Sequence, residues 1–292
     1  MNKLSISNTK VKVAMLSVLS NTTLIILKII AGLLSGSVSI ISEAIHSGMD
    51  LVASAIALFS VRASSKPADK EHPYGHGKIE NVSGVIEGLL IFIAAFLIIK
   101  EAITKILNPT EISQAFIGIV VMGISSIVNI IVSRTLYKVA KKEESIALEA
   151  DALHLKTDVY TSAGVALGLL LMYVTGNRYL DPITAILVAL LIVKEAWSLC
   201  RNAFRPLLDV SITEEEELKI KEILETYDEQ IKGFHKLRTR KSGSIKYIDF
   251  HMFVDGDLTV DVAHSLSKKI EIELEQNIKN TNVHIHIEPS KI

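Results

Sequence analysis

Six apolar runs in the first two-thirds of this 292-residue chain constrain its fold more than any other feature. Each run is about as long as the roughly 20 residues that cross a bilayer as a helix, and short polar loops separate the runs. The chain is 49% hydrophobic, and the apolar excess is concentrated in these runs. Membrane-spanning helices are therefore predicted at residues 12–34, 38–61, 82–106, 114–136, 146–174 and 180–203.

The distribution of basic residues predicts the orientation of the six spans. Eleven Lys and Arg residues fall on one side of the membrane and three on the other. Because cytoplasmic loops carry the basic excess, both termini are predicted to be cytoplasmic, with the protein in the inner or plasma membrane. The eleven are Lys3, Lys10, Lys12, Arg62, Lys66, Lys70, Lys78, Arg134, Lys138, Lys141 and Lys142, and the three are Lys100, Lys105 and Arg178.

The last part of the chain has the charged composition of a soluble domain. It opens with "SITEEEELKIKEILETY", in which Ser211 and Thr213 are candidate N-caps before an acidic first helical turn. Two strand-like stretches joined by a Ser-Gly turn, a second helix and the strand "NVHIHIEP" follow, which predicts the order αββαβ. The sequence thus predicts a membrane domain at 1–208 and a cytoplasmic domain at 209–292. A domain this small is often completed by a partner subunit.

Two of the apolar spans carry the same polar motif, His-x-x-x-Asp. The second span contains "HSGMD" (His46, Asp50) and the fifth contains "HLKTD" (His154, Asp158). Residues four apart share one face of a helix, so each helix offers one imidazole and one carboxylate. Two such helices face to face would supply four ligands to a tetrahedral divalent ion, with Zn²⁺ the leading candidate. A polar contact between packed helices is the alternative, but ionisable residues inside a membrane are usually functional.

Two further groups of histidines lie outside the apolar spans. The loop after the second span contains Asp69, His72 and His76, a spacing that can close around one metal ion. In the last strand, "VHIHIE", histidines and a glutamate alternate with apolar residues, so one face presents ligands. Solvated histidines without a metal are the alternative for both groups. The polar candidates of the soluble domain are His235, His251, His264, His284, His286 and Glu288.

Together these motifs resemble the cation diffusion facilitators, which are six-span transporters of divalent metals. The resemblance rests on "HSGMD", "RASSKPADKEHPYGHGKIE" and "HLKTD" in that order, followed by "HKLRTRKSG" and "VHIHIEP". It implies an α-helical membrane protein with six transmembrane helices and a cytoplasmic αββαβ domain of ferredoxin-like, metallochaperone-like fold. It also implies a homodimer in the lipid bilayer that exports metal in exchange for protons, with no enzymatic activity and no nucleic-acid partner.

The resemblance further implies a role for each group of residues. Lys78 and Asp209 occupy the positions of a charge pair that joins the two subunits in the family. Glu288 stands where aspartate is common, so it keeps the carboxylate and lengthens its reach. The transport site would be His46, Asp50, His154 and Asp158, the loop site Asp69, His72 and His76, and the regulatory cytoplasmic site His235, His251, His264, His286 and Glu288.

The ligand types of the membrane quartet also bear on cargo and coupling. Two imidazoles and two carboxylates favour Zn²⁺ over the oxygen-demanding Mn²⁺, while Fe²⁺, Co²⁺, Cd²⁺ and Mn²⁺ itself stay open as cargo. Metal binding requires neutral histidine and ionised carboxylate, so each ion that binds displaces protons. A site of this kind that opens alternately to the two sides would act as an antiporter.

Two other functions compete with transport. Glu43 with His46, and Asp151 with His154, form E-x-x-H and D-x-x-H pairs similar to those of di-iron bundles, which makes a membrane di-iron oxidase one alternative. A metal sensor without transport activity is the other. The histidine-rich loop and soluble domain argue against the oxidase, and the complete membrane quartet argues against the sensor. Lys28, deep in the first span, has no predicted partner.

Overall fold

The computed structural model describes residues 3–35, 38–107, 116–177 and 179–290. The chain divides into two compact units, Met1–Phe204 and Arg205–Ile292. The sequence placed the boundary later, at 208/209. The difference arises because Arg205–Leu208 forms a 3-10 turn that contacts the first strand of the second unit, so this turn belongs to the second unit.

Six long helices build the first unit. They are α1 (Lys3–Ser35), α2 (Val38–Ser64), α3 (Lys78–Leu107), α4 (Phe116–Glu143), α5 (Ile146–Thr175) and α6 (Leu180–Phe204). Each helix has between 25 and 33 residues, more than the roughly 20 needed to cross a bilayer. The largest departures from the predicted spans are at the start of α1 and the end of α4, where polar residues continue the helix past the apolar run.

Three stretches of the described residues are long and apolar enough to cross a membrane. They are Asn8–Ile30 in α1, Lys78–Leu107 in α3, and Pro182–Leu208, which begins in α6. Helix α5 carries charged residues through its first half, "IALEADALHLKTD", and an apolar sequence in its second half. The second His-x-x-x-Asp motif therefore lies in the charged half of α5.

The two helices that carry this motif, α2 and α5, pack against each other. Helix α1 lies along α2, helix α4 lies along α5, and α1 also contacts α4. Ala14, Val61, Leu136 and Leu155 are among the buried side chains that fill the space between these four helices. Helices α3 and α6 form the most extensive pair in the unit, and both also contact α5.

Two glycines of α3 permit its close approach to neighbouring helices. A Cβ atom at Gly88 would overlap the Sγ of Cys200, and one at Gly84 would overlap the side chain of Ile146 and crowd Ala203. Small residues four apart are a common means by which membrane helices pack closely. Cys200, the single cysteine of the chain, therefore has a packing role at the contact between α3 and α6.

The second unit confirms the predicted order αββαβ. Its elements are α7 (Glu214–Glu225), β1 (Gly233–Ser242), β2 (Ile245–Val254), α8 (Val260–Asn277) and β3 (Thr281–Pro289). Strands β1 and β2 form an antiparallel hairpin, and β3 pairs in parallel with β2 after the crossover through α8. The predicted Ser-Gly turn joins the hairpin, and its glycine, Gly243, has a φ of +59° that favours a residue without a side chain.

Alternation along β2 gives this sheet one apolar and one polar face. Ile248, Phe250 and Met252 are fully buried and pack with apolar residues of α7 and α8 in one core. Burying each such side chain contributes about 1.5–3 kcal/mol. The residues between them, Asp249 and His251, point to the other face because successive side chains of a strand alternate.

A capping box begins α7 at the position that the sequence predicted. The Thr213 Oγ1 accepts a hydrogen bond from the Glu216 amide at 3.3 Å, and the Glu216 carboxylate accepts one from the Thr213 amide at 3.4 Å. The first turn is acidic throughout, which suits the positive end of the helix dipole. Thr213 rather than Ser211 is therefore the N-cap.

Candidate metal centres

The first unit brings three of the four predicted transport ligands together. Asp50 on α2 and His154 and Asp158 on α5 each offer a ligand atom, and these atoms lie within 4.8 Å of one another. The contact between the helices is His154 Nε2 to Asp50 Oδ1, at 3.1 Å. Asp50 is 6% exposed and His154 8% exposed. We call these three residues the transport cluster; one imidazole and two carboxylates are ligands that divalent transition metals accept.

Amide side chains from the flanking helices contact the transport cluster. Asn129 of α4 donates from Nδ2 to Asp158 Oδ2 at 3.5 Å, and Asn21 of α1 donates to the backbone carbonyl of Asp50 at 3.5 Å. The Nδ1 of His154 is buried and has no hydrogen-bond partner among the described residues. Sequence reasoning missed both asparagines, although an amide within an apolar run was the signal that could have found them.

The fourth predicted ligand, His46, has its side chain outside the described residues, and so does Glu43. Both residues belong to α2, in one uninterrupted helix with Asp50. His46 and Asp50 are four positions apart in the sequence, so their shared helix face stays a prediction from helical spacing.

A buried lysine of α1 contacts the same part of α2. Lys28, for which the sequence suggested no partner, donates from Nζ to Ser47 Oγ at 2.6 Å. Lys28 is 4% exposed and Ser47, the residue after His46, is 5% exposed. This contact gives the lysine a polar partner between α1 and α2.

The loop between α2 and α3 brings Asp69, His72 and His76 together, as predicted. Asp69 Oδ1 lies 3.3 Å from His72 Nδ1, Asp69 Oδ2 lies 3.3 Å from His76 Nε2, and the two rings are 4.4 Å apart. Asp69 Oδ1 also accepts the backbone amides of His72 and Glu71, at 2.7 and 3.0 Å. These bonds, first that of the His72 amide, lower the pKa of the Asp69 carboxyl. The carboxylate is thus ionised at neutral pH, as a metal ligand must be.

The sheet of the second unit places three histidines in one row. His235 of β1 pairs with His251 of β2, and His251 pairs with His286 of β3. The rings of His235 and His251 are 5.2 Å apart, and those of His251 and His286 are 4.6 Å apart. The predicted alternation of β3 is confirmed, since Val283 packs in the core while His286 is exposed.

Glu288 supplies the carboxylate of this row. Its Oε1 lies 2.6 Å from His251 Nδ1, its Oε2 lies 3.1 Å from His235 Nε2, and His286 Nε2 is 3.8 Å from Oε1. The ligand atoms of His235, His251 and Glu288 lie within 4.8 Å of one another; we call these three the cytoplasmic cluster. The hydrogen bond to His251 is the main cause that lowers the pKa of the Glu288 carboxyl. The glutamate side chain is therefore long enough to meet imidazoles from both other strands.

A β-bulge follows His235 in β1, on the side of the hairpin turn. The register between β1 and β2 shifts between His235 and Arg238, and Lys236 has a φ of +53°. A bulge bends its strand and re-aims a side chain, and bulges are frequent beside functional sites. Residue alternation alone could not have located this bulge.

Two histidines of this unit lie outside the cytoplasmic cluster. His284 Nδ1 is 3.9 Å from Asp249 Oδ1 on β2, and both side chains are exposed. His264 is exposed on α8, and its ring is not among the converging ligand atoms of the described residues. The structure thus does not bring His264 to the other predicted ligands within one chain, and its role as a ligand stays a prediction. The polar neighbour Asp249 was missed by sequence reasoning, although it alternates with buried residues of β2.

Two family models match the chain, one for each unit. The model described as "Cation efflux transmembrane domain" matches residues 14–208, and the model described as "Cation efflux protein, cytoplasmic domain" matches residues 212–290. The chain belongs to the cation diffusion facilitator family. The resemblance seen in the sequence is thereby confirmed, and the protein is a cation efflux transporter of the membrane.

Curated relatives of this cation diffusion facilitator span nearly its whole length. The uncharacterized transporter sll1263 of Synechocystis sp. is 36% identical over 263 residues, which are 90% of this chain and 85% of the relative. The cation-efflux pump FieF of Shewanella oneidensis is 33% identical over 280 residues, 94% of this chain and 93% of the relative. The manganese efflux system protein MneP of Bacillus subtilis is 31% identical over 285 residues, 95% of each chain.

Membership of the cation diffusion facilitators argues against the di-iron oxidase. The structure also argues against the Asp151–His154 pair of that alternative, because Asp151 is not part of the described ligand cluster around His154. Its Oδ1 instead accepts a hydrogen bond from Ser54 of α2 at 2.9 Å. A transporter family equally argues against a sensor without transport activity.

The predicted charge pair between the two subunits concerns Lys78 and Asp209. Lys78 is the first residue of α3, and Asp209 follows the 3-10 turn at the start of the second unit. Asp209 Oδ1 lies 3.5 Å from Arg240 Nη1 within its own unit. A contact between Lys78 and Asp209 of two protomers stays a prediction from the resemblance to this family.

Proposed function

We propose that this cation diffusion facilitator exports Zn²⁺ from the cytoplasm in exchange for protons. The observation that carries the proposal is the convergence of Asp50, His154 and Asp158 from two helices in one buried cluster. His46, one helical turn before Asp50, would supply the fourth ligand of a tetrahedral site. Two imidazoles among the four ligands favour Zn²⁺ over harder ions.

The ligand atoms of the transport cluster would couple the export of metal to the import of protons. His154 Nε2 and Asp50 Oδ1, which would bind the ion, lie 3.1 Å apart and face each other. A proton held between these two atoms and a metal ion bound to both exclude one another, since metal needs neutral imidazole and ionised carboxylate. When the loaded site opens to a more acidic exterior, protons compete for the ligands and release the ion.

The proposed topology has α1 to α6 crossing the membrane six times, with both termini in the cytoplasm. The lengths of the helices and the eleven-to-three distribution of basic residues support it. The second unit would be a ferredoxin-like domain that joins two subunits, which its small size and the name of its family model, ZT_dimer, support. Its cytoplasmic cluster would bind metal and regulate transport.

Manganese is the second candidate cargo. The relative MneP is named for manganese efflux. In this chain the Oδ1 of Asn129 is buried without a hydrogen-bond partner among the described residues, close to Asp158. An amide oxygen of this kind is a hard donor that suits Mn²⁺ better than it suits Zn²⁺. Fe²⁺, Co²⁺ and Cd²⁺ have intermediate or softer preferences and would compete with Zn²⁺ for the imidazoles.

The test is flux into proteoliposomes that contain the full chain, with one dye for metal and one for pH inside the vesicles. We expect Zn²⁺ entry to move protons in the opposite direction and to be faster with an opposing proton gradient. Flux of Zn²⁺ without proton movement would instead indicate a uniporter or channel. Competition by Mn²⁺ in the same vesicles decides between the two candidate cargoes.

A further inference from the structure

Two acidic side chains of the membrane unit lie outside the transport cluster and have no role so far. Glu87 of α3 and Asp151 of α5 are both 0% exposed. Three of their four carboxylate oxygens, both of Glu87 and the Oδ2 of Asp151, have no hydrogen-bond partner among the described residues. The remaining oxygen, Asp151 Oδ1, accepts its hydrogen bond from Ser54.

Asp151 has Ser54 as a hydrogen-bond donor, whereas neither oxygen of Glu87 has a hydrogen-bond partner among the described residues. The charged group that acts on Glu87 is Asp151, a second acid rather than a base. The two buried lysines of α1 contact other residues, since Lys10 lies 3.1 Å from Glu80 and Lys28 lies 2.6 Å from Ser47. Burying an ionised carboxylate without a partner costs several kcal/mol, so such residues inside a membrane protein usually mark an ion pathway.

The side chain that contacts the Asp151 carboxylate offers a hydroxyl oxygen. Ser54 is fully buried and donates to Asp151 Oδ1 at 2.9 Å. Behind it, Ser17 Oγ lies 3.0 Å from Ser54 Oγ, and Asn21 Nδ2 donates to Ser54 Oγ at 2.6 Å. These contacts fix the serine hydroxyl toward the carboxylate. Carboxylate and hydroxyl oxygens without imidazole or thiolate form a hard ligand set, of the kind that Mn²⁺ and Mg²⁺ prefer.

This group lies one helical turn from the transport cluster along both helices. Ser54 follows Asp50 by four residues on α2, and Asp151 precedes His154 by three residues on α5, which correspond to about 6 and 4.5 Å along the helix axes. Helix α2 runs from Asp50 toward its end at the loop of residues 65–77, and α5 begins on the same side. The group therefore lies between that loop side and the transport cluster.

Buried polar residues continue from this group to the loop side along α3. Glu80, Ser83 and Glu87 are spaced three and four residues apart, so they share one face of α3, and all three are buried. Ser83 donates to Ser60 of α2 at 2.8 Å. At the end of this row, Glu80 accepts hydrogen bonds from Ser64 at 2.9 Å and from Ser145 at 2.5 Å. A polar column thus connects the loop side to Glu87.

We propose that Glu87, Asp151 and Ser54 form a second cation site made of oxygen ligands, which holds a divalent cation on its way between the loop side and the transport cluster. The direction in which a cation would pass through this site rests on the proposed export function, but the site's ability to bind a cation does not. The two sites are too close for two divalent ions to bind at full strength together, so an ion at one site favours release from the other. Weak binding at successive sites is how conducting proteins combine selectivity with speed.

The test counts Mn²⁺ ions on the full chain after the other clusters are disabled by Asp158→Asn, Asp69→Asn and Glu288→Gln. We expect this parent chain to bind Mn²⁺ in its membrane unit, with an electron paramagnetic resonance spectrum that lacks ¹⁴N coupling because no imidazole is a ligand. Adding Glu87→Gln should weaken that binding about 10–100-fold, the range for a lost supporting group at a metal site. The matched control is Glu101→Gln on the same helix, an exposed residue that should leave binding unchanged.

Further variants separate loss of the site from loss of the fold. Asp151→Asn should weaken Mn²⁺ binding by a similar factor, whereas Glu87→Asp keeps the charge and should retain most of it. Unchanged binding in both Glu87→Gln and Asp151→Asn, or ¹⁴N coupling on the bound ion, overturns the proposal. Thermal unfolding and gel filtration of each variant verify the fold.

The outcome for this site can be told apart from the outcome for transport. If the wild-type chain moves no metal in vesicles while the parent chain still binds Mn²⁺ through Glu87, the export mechanism is wrong and the oxygen site stands. If the wild-type chain transports Zn²⁺ but the parent chain binds no Mn²⁺, the oxygen site alone is wrong. In the otherwise wild-type chain, Glu87→Gln should slow Zn²⁺ transport about tenfold or more.

Discussion

The transport cluster and the cytoplasmic cluster contain the same contact in opposite surroundings. In each cluster an imidazole Nε2 lies 3.1 Å from a carboxylate oxygen, between His154 and Asp50 in the first and between His235 and Glu288 in the second. The first two side chains are 10% and 9% exposed, and the second two are 37% and 26% exposed. Similar ligands can therefore serve different purposes, because burial decides what can reach them.

Burial changes both the strength and the exchange of a bound ion. Charges interact several-fold more strongly in the low dielectric of a helical bundle than at a surface exposed to water. In the proposed mechanism, an ion in the transport cluster would enter or leave when the helices open a path, which is the requirement for alternating access. An ion in the proposed cytoplasmic site would exchange directly with the solvent, which would suit a group that responds to metal concentration. The following predictions alter one cluster and leave the other intact.

Removing Asp158 is expected to have the largest effect. The Asp158→Ala variant loses a ligand that no neighbouring carboxylate of the described transport cluster replaces. We expect it to abolish transport of every metal while the protein stays folded, because the charge of a half-buried side chain is removed rather than a new charge introduced. Proteoliposome flux measures the loss, and Asp257→Ala, at an exposed position of the second unit, serves as the control. Transport by Asp158→Ala near the wild-type rate would show that this cluster does not carry the cargo.

Exchanging His46 for aspartate should change selectivity rather than abolish transport. The His46→Asp variant replaces one predicted imidazole by a carboxylate and leaves Asp50, His154 and Asp158 in place. Zn²⁺ should then lose part of its advantage over Cd²⁺ and Mn²⁺, since the site gains a hard oxygen ligand and a negative charge. Competition between metals in vesicles gives the ranking, with His284→Asp as a control outside both clusters. An unchanged ranking would remove His46 from the quartet.

Substituting Glu288 should weaken metal binding at the cytoplasmic cluster alone. Glu288 is the carboxylate that contacts both His235 and His251, so Glu288→Gln removes the anionic ligand and keeps the shape. The affinity of this cluster for Zn²⁺ should fall about 10–100-fold. Transport at saturating Zn²⁺ should stay within about twofold of wild type, as for other substitutions remote from the transported ion. Calorimetry on the Asp158→Asn chain isolates the cytoplasmic site, and equal affinity with and without Glu288 would contradict its role.

Part of each cluster could be predicted from the sequence, because helical spacing and strand alternation depend on local geometry alone. Helical spacing paired His154 with Asp158, and strand alternation placed His286 and Glu288 on one face of β3. The contacts made across elements could not be predicted in this way. Asn129 reaches Asp158 and Ser54 reaches Asp151 only because of how the helices are rotated and packed, which the sequence of one helix does not specify.

The positions of the histidines in the second unit also could not be predicted from local patterns alone. Composition grouped its five histidines together, but the strand register brings only part of them to Glu288 and leaves His284 beside Asp249. The bulge at Lys236 also lies beyond prediction, since one extra residue in a strand has no strong signature. Local patterns therefore predicted which residue types each candidate site would contain, and tertiary packing determined which of those residues lie together.

Lowering the pH should weaken Zn²⁺ binding at the cytoplasmic cluster because protons compete for its histidines, and not because Glu288 becomes protonated. The pKa of the Glu288 carboxyl is lowered from the ordinary value of 4.5, so the ligand stays ionised as the pH falls past 4.5. Histidine has an ordinary pKa of about 6.5, and protons compete for it below that pH. Zn²⁺ affinity should therefore fall from pH 7 toward pH 5.5. Titrations across this range on the Asp158→Asn chain measure the loss, and a weakening that begins only near pH 4.5 would assign it to the carboxylate instead.

The smallest effect is expected at His264, which resembles the cluster histidines in chemistry but not in place. The His264 ring is exposed on α8 and does not join the converging ligand atoms of the described residues within one chain. His264→Ala should therefore change Zn²⁺ affinity by no more than about twofold, which corresponds to the roughly 0.5 kcal/mol typical of surface substitutions. His286→Ala is the matched comparison, and it should have the larger effect because His286 Nε2 lies 3.8 Å from Glu288. A loss in His264→Ala as large as in Glu288→Gln would mean that His264 reaches a metal shared between two protomers, and the cytoplasmic site would then be complete only in the dimer.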